Sequence, residues 1–313
     1  MKNHKTIKLI KKKPTIGILT APVPDKKQCF DAKSYLYKSY VQWAKQKKCR
    51  IIPIQYNLPK HLIKILLSQI NGIIMVGGSI NNLKTHTLKT YRQYLGACKF
   101  IVDYAKKENN RKNYYPIFSI CLGFEIMGLI SQKKIGKTDE FAEGNIDTIK
   151  NIGMNPLHLT NTKGKLTNIF TEEERDYISK NPSVYYYHKL SFDIKRNYTR
   201  KICDVNHITS TAYKKGKEYI TSMEHKKYPF YSTLFHPEKP KFLSYIKNTK
   251  ASDLVSMKLI DFFIRECKKN KNKWIGGKYD RDFLIENYTV YTLKKNNRRV
   301  PSYIFGEIDK HYN

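Results

Sequence analysis

No apolar run in this chain approaches the roughly 20 residues that a membrane span needs. The opening stretch, MKNHKTIKLIKKK, is basic but has no apolar core of the kind a secretory signal carries, so the sequence-based expectation is an intracellular protein. Six cysteines, at positions 29, 49, 98, 121, 203 and 267, are too few and too scattered for a disulfide framework. None forms a CxxC pair, which argues against a zinc site. No GxxxxGK[ST] phosphate loop, internal repeat or long low-complexity block is present. Acidic residues are scarce as well, 26 against 59 Lys and Arg, for a net charge of +33. Such an excess favours polyanionic partners. However, Lys, Asn, Ile and Tyr are all abundant while Gly and Ala are few, as AT-rich codons would give. The lysines are also spread along the whole chain and not clustered with aromatics, so nucleic acid is a poor candidate partner.

What is present is a hydrophobic fraction of 40% in 313 residues, enough for a sizeable core. Short β-rich runs alternate with helical patterns through residues 14–130. Strands are expected at Thr15 to Leu19, Ile51 to Ile54, Gly72 to Val76 and Ile117 to Ile120. Helices are expected at Tyr35 to Lys47, at His61 to Ile70, through Tyr104, and again from Phe124 to Ile130. Such alternation implies βαβ units and a parallel sheet covered on both faces. Residues 140–235 are richer in β-formers and turns, with a hairpin turn at Lys214-Lys215-Gly216-Lys217. Ala251 to Lys268 reads as a last helix. The expected organisation is a basic segment 1–13, a single domain over 14–313, and a tail 269–313 packed back on it.

The segment Pro116-Ile117-Phe118-Ser119-Ile120-Cys121-Leu122-Gly123-Phe124-Glu125 carries the most chemical information. A buried strand runs into a helix with a cysteine at the junction. Ser119 and Gly123 supply the small residues two positions either side that a sharp nucleophile turn needs. The helix N-terminus favours a thiolate and makes the Leu122 N–H a candidate oxyanion donor. The alternative reading of this segment is a buried core cysteine. A thiol nucleophile needs a base, and the base needs a group that fixes its tautomer. Phe235-His236-Pro237-Glu238 offers both. Residues two apart in an extended run share a side, so Glu238 can hold Nδ1–H of His236 while Nε2 faces Cys121. Val76-Gly77-Gly78-Ser79 follows the third strand, and the Gly78 N–H is the candidate second oxyanion donor.

These motifs together resemble γ-glutamyl hydrolase, a family of poly-γ-glutamate hydrolases within the class I glutamine amidotransferase-like superfamily. The resemblance begins at Pro14-Thr15-Ile16-Gly17-Ile18-Leu19. It runs through Ser39-Tyr40-Val41, Arg50 to Ile54, Ile70 to Ile74, Gly77-Gly78-Ser79, Cys121 to Glu125, His188-Lys189, Ser222-Met223-Glu224, Tyr228-Pro229 and Phe235 to Lys239. It implies a flavodoxin-like α/β/α sandwich with a mostly parallel central sheet, and thiol peptidase chemistry on γ-linked glutamates without a cofactor or metal. By that resemblance Cys121 is nucleophile, His236 base and Glu238 third member, with His188, Glu125 and Tyr35 at substrate-binding positions. On the residues alone, His188 reads equally as a half-buried strand histidine and Tyr35 as a helix residue facing the core. The partners implied are a small-molecule poly-γ-glutamyl substrate and, as an open alternative, a second copy in a homodimer. The family is usually lysosomal or secreted, which contrasts with the leaderless start. Asn81 and Asn82 stand where the family tends to carry an acidic residue. The competing enzyme reading is a glutaminase feeding a synthase. Those proteins usually carry Gln four residues after the cysteine, where this chain has Glu125, and no synthase domain is expected here.

Overall fold

The computed structural model describes residues 13–23, 32–78, 88–135, 141–142, 144–160, 164–276, 283–295 and 298–306. Ser79, Asn81 and Asn82 lie outside them. The order of elements is β1 (Thr15–Leu19), β2 (Ala21–Pro22), β3 (Ser34–Tyr37), α1 (Lys38–Lys45), β4 (Arg50–Ile54), α2 (Lys60–Leu67), β5 (Gly72–Met75), α3 (Leu88–Asn110), β6 (Ile117–Ile120) and α4 (Leu122–Ser131). Then come β7 (Asp147–Asn155), β8 (His158–Leu159), α5 (Glu172–Lys180), β9 (Val184–Ser191), α6 (Asn197–Val205), β10 (Asn206–Lys214), β11 (Lys217–His225), β12 (Phe230–Thr233), α7 (Lys250–Cys267), β13 (Val290–Lys295) and β14 (Arg298–Phe305).

The main sheet has the order β4-β1-β5-β6-β12-β11-β10-β8. Its first five strands are parallel and the last three join antiparallel. Successive residues of the parallel strands feed opposite faces, as the two-residue period requires. Ile74 and Phe118 pack with Trp43 of α1 and Phe263 of α7. Ile73 and Ile117 pack with Leu67 of α2, Ile101 of α3 and Phe124 of α4. Helices thus cover both faces and give the expected three-layer α/β/α sandwich. Among the described residues no helix is long and apolar enough to cross a membrane. Lys215 and Gly216 both have positive φ, 50° and 75°, which gives the β10–β11 connection the twist that a tight hairpin needs.

One element departs from expectation. Residues 34–37 form strand β3, and the helix begins only at Lys38. Ser34-Tyr35-Leu36-Tyr37 satisfies its backbone against both β2 and the C-terminal strand β14, where Ile304 stands opposite Tyr35. That long-range pairing overrides the helical reading of the local pattern. Tyr35 is therefore a strand residue, 2% exposed. Residues beyond α7 return to the body of the protein: the Asn71 side chain donates to the Asn272 carbonyl at 2.8 Å, and the β13–β14 hairpin completes the small sheet with β3 and β2.

Candidate active site

Cys121 stands where β6 ends and α4 begins. Its backbone is held at φ 52°, ψ −106°. A non-glycine residue at positive φ stores strain that the surroundings must enforce. Here the Cys121 N–H donates to the Thr233 carbonyl at 2.8 Å, and its own carbonyl accepts from the Glu125 N–H at 3.0 Å. The turn is sharp enough that α4 presses onto the end of β5. A Cβ on Gly123 would come within 2.7 Å of the Met75 carbonyl oxygen, so no larger residue fits there.

The neighbouring strand β12 delivers the second motif. His236 leaves it three residues after Thr233 and is fixed by its N–H donating to the Tyr185 carbonyl at 2.8 Å. Its Nδ1 lies 2.8 Å from Glu238 Oε1, with both side chains buried. A Cβ added to Gly77 would touch His236 Cε1 at 2.8 Å, Tyr40 Oη at 2.8 Å and Cys121 Cβ at 3.1 Å. Imidazole, thiol-bearing carbon and phenol thus converge on the space that this glycine leaves empty. The Gly77 N–H is already committed, donating to Tyr40 Oη at 2.8 Å. Gly78, the next residue, lies against the Leu122 side chain at the start of α4.

Electrostatics set the resting protonation. Burial, reinforced by the Glu125 carboxyl, pushes the Cys121 thiol up to about 12, although Lys239 and the Leu122 N–H act the other way. Desolvation thus works against the thiolate that a helix terminus favours. Burial also raises the Glu125 carboxyl to about 8. Burial works against ionisation of Glu238 too. There, however, the charge and hydrogen bond of His236, helped by Lys239, prevail and hold the carboxyl below its usual range.

The remaining expected residues surround this centre. His188 sits on β9, 4% exposed, with Nδ1 3.1 Å from the Leu190 carbonyl and its ring between Tyr186 and Tyr219. Burial lowers it to about 3, so the ring is neutral. Tyr35 packs edge-on to Tyr37 at 4.9 Å. Three contributors escaped the sequence reading. Tyr40 reads as an ordinary aromatic on the buried face of α1. The Tyr187 carbonyl, 3.8 Å from Cys121 Sγ, belongs to no motif. Lys239 closes the FHPEK run, but only the fold lays its ammonium over the Tyr185 and Tyr187 rings. Among the described residues no group of three or more His, Cys, Asp or Glu side chains is placed to hold a metal.

Fold and site together define an α/β/α protein with a strand–cysteine–helix elbow at the carboxyl edge of a parallel sheet, the edge where such sheets place their ligands. The chain belongs to the glutamine amidotransferase class-I family, whose model matches residues 29–241. It is 29% identical over 300 residues to gamma-glutamyl hydrolase B of Dictyostelium discoideum, covering 94% of this chain and 84% of that one. Human gamma-glutamyl hydrolase is 26% identical over 290 residues, covering 90% and 86% respectively. The glutaminase domain of Trypanosoma brucei CTPS with bound acivicin has the same fold: TM-score 0.56 at 13% identity, over 84% of this chain and 96% of that domain.

Proposed function

We propose that this chain hydrolyses γ-glutamyl amide bonds of poly-γ-glutamates, with Cys121 as nucleophile, His236 as base and Glu238 as its orienting partner. The observation that carries this reading is the buried Nδ1–Oε1 contact of 2.8 Å on an imidazole that converges with Cys121 over Gly77. In this reading the resting thiol is neutral, and its proton passes to His236 Nε2 as Sγ attacks the γ-carbonyl carbon. The Gly78 and Leu122 N–H groups take up the oxyanion charge. As the C–N bond breaks, His236 returns the proton to the leaving amine. The thioester then accepts a water deprotonated by the same imidazole, and the thiol is regenerated. Glu238 keeps Nδ1 protonated and stabilises the transient imidazolium. Tyr35, the neutral His188 and the largely protonated Glu125 shape the substrate side of the site.

The test compares glutamate release from a γ-linked oligomer with ammonia release from free glutamine, using Cys121→Ala as the control. Glutamate release is expected to dominate and to vanish in the variant while its melting temperature holds. Dominant ammonia release would reassign the activity to glutaminase. An active Cys121→Ala protein would overturn the mechanism.

A further inference from the structure

On the far side of β9 from Cys121 lies a small open groove that none of the sequence motifs announces. Its walls come from four separate parts of the chain: Tyr37 on β3, Tyr185 and Tyr187 on β9, Lys239 and Tyr245 after β12, and Arg298 on β14. Tyr185 and Tyr187 project to the same side of β9, as the strand period requires, and stack at 6.4 Å with planes 9° apart. Lys239 Nζ lies over both rings, 5.8 and 5.3 Å from their centroids. The Arg298 guanidinium lies 4.7 Å above the Tyr245 ring and lines the same groove as Tyr185. Among the described residues, two cations and four phenols line the groove, and no carboxylate does.

The groove shares its wall with the catalytic centre. The Tyr185 carbonyl fixes the His236 N–H at 2.8 Å, and the Tyr187 carbonyl lies 3.8 Å from Cys121 Sγ. The backbone of β9 thus faces the nucleophile while its tyrosine rings face the groove. Lys239 bridges the two from the other side, being adjacent in sequence to Glu238.

Resting on the γ-glutamyl hydrolase reading, we propose that this groove is a carboxylate subsite, in which Arg298 and Lys239 hold an α-carboxylate of a glutamyl unit next to the one attacked. A guanidinium fork matches a carboxylate with two parallel hydrogen bonds, and the phenols add donors of the right polarity. The tyrosine planes keep both cationic side chains extended, so little rotamer freedom remains to be lost on binding. The C-terminal hairpin thereby becomes a specificity element: it brings Arg298 to the site by pairing β14 with β3.

The experiment measures steady-state kinetics of wild type, Arg298→Gln and Arg298→Lys on γ-linked triglutamate and on γ-glutamyl-p-nitroanilide, whose leaving group carries no carboxylate. Arg298→Gln is expected to raise KM for triglutamate about tenfold, the scale of one charged hydrogen-bonded contact, with kcat retained. The anilide should be unaffected, and Arg298→Lys should fall between. Calorimetric binding of triglutamate to Cys121→Ala, with and without Arg298→Gln, reads the groove independently of turnover. If wild type cleaves neither substrate but the Arg298 change still weakens binding, the hydrolase reading fails and the subsite stands. Equal effects on both substrates, no effect on either, or competition by inorganic phosphate as strong as by glutamate would overturn the subsite.

Discussion

The strands that lead to the nucleophile and those that form the wall behind it are built differently. β1, β5 and β6 are buried at every position, and Cys121 and Gly77 emerge just beyond the ends of two of them. β14 is exposed at its start and buried at only four of its eight positions, and β9 alternates in its second half. The wall itself depends on β9 and on a hairpin that reaches the site from the far end of the sequence. Buried, parallel strands hold the reacting atoms to a fixed geometry, strain included. The wall mixes buried and solvated strands: β3 is buried at every position, β9 at five of eight and β14 at four of eight, and these carry aromatic and cationic side chains of the proposed subsite. The division follows a general economy of folds, in which rigid scaffolds position chemistry and peripheral segments tune recognition. It predicts that changes on the parallel side act on kcat or on the fold, whereas changes in the wall act on KM.

The largest expected effect lies in the triad. His236→Ala should lower kcat by at least about 10⁴-fold, and adding Cys121→Ala should make it scarcely worse, because residues acting as a unit are not additive. Glu238→Gln keeps the shape but loses the charge that fixes the tautomer, and a loss of about 10²–10³-fold is expected. Single-turnover assays on a γ-linked substrate read both. A Glu238→Gln enzyme with unchanged kcat and raised KM would break the proposed division.

Next comes Glu125, on the first turn of α4. Its folded value of about 8 lies above the ordinary 4.5. As pH rises the unfolded chain releases this proton first, so wild-type stability should fall between about pH 4.5 and 8 and then level off. Glu125→Gln removes the penalty. Denaturant titrations should find the variant no more stable than wild type near pH 4 but more stable at pH 9, by on the order of 5 kcal/mol. A constant difference across that range would mean that Glu125 ionises normally.

The smallest effect is expected at Tyr40. Tyr40→Phe leaves the buried Gly77 N–H without its acceptor, at a cost of about 1–3 kcal/mol. The melting temperature should fall by a few degrees, and kcat should fall with KM held, since the loop beside the oxyanion donors loosens. A raised KM with kcat intact would place Tyr40 among the wall residues.

The parallel half of the sheet was legible in the sequence because its signals are local. Continuous apolar runs mark Ile73-Ile74-Met75 and Ile117-Phe118, and Ser119 and Gly123 bracket Cys121 within one turn. The His236–Glu238 pairing follows from their spacing in an extended run. The wall was not legible, because Tyr37, Tyr187, Tyr245 and Arg298 meet only through tertiary pairing and no window holds two of its parts together. Tyr35 shows the same limit: Ser34-Tyr35-Leu36-Tyr37 fits either period, and its strand partner Ile304 lies at the other end of the chain. The balance of effects on the thiol is hidden from the sequence for a related reason. A helix terminus can be read from sequence, but the desolvation that opposes it can be read only from the packed site.

The concealment of Cys121 also bears on its chemical durability. Peroxide and alkylating reagents attack thiolates, and oxidation beyond the sulfenic acid is irreversible in most proteins. Cys121 is 3% exposed, and burial pushes its thiol pKa upward, which offers them little to react with. Among the described cysteines only Cys203, on α6, is not buried, so it would take the first damage. On the proposed mechanism Cys121 is thus kept in reserve, shielded from stray electrophiles until a carbonyl is seated beside His236.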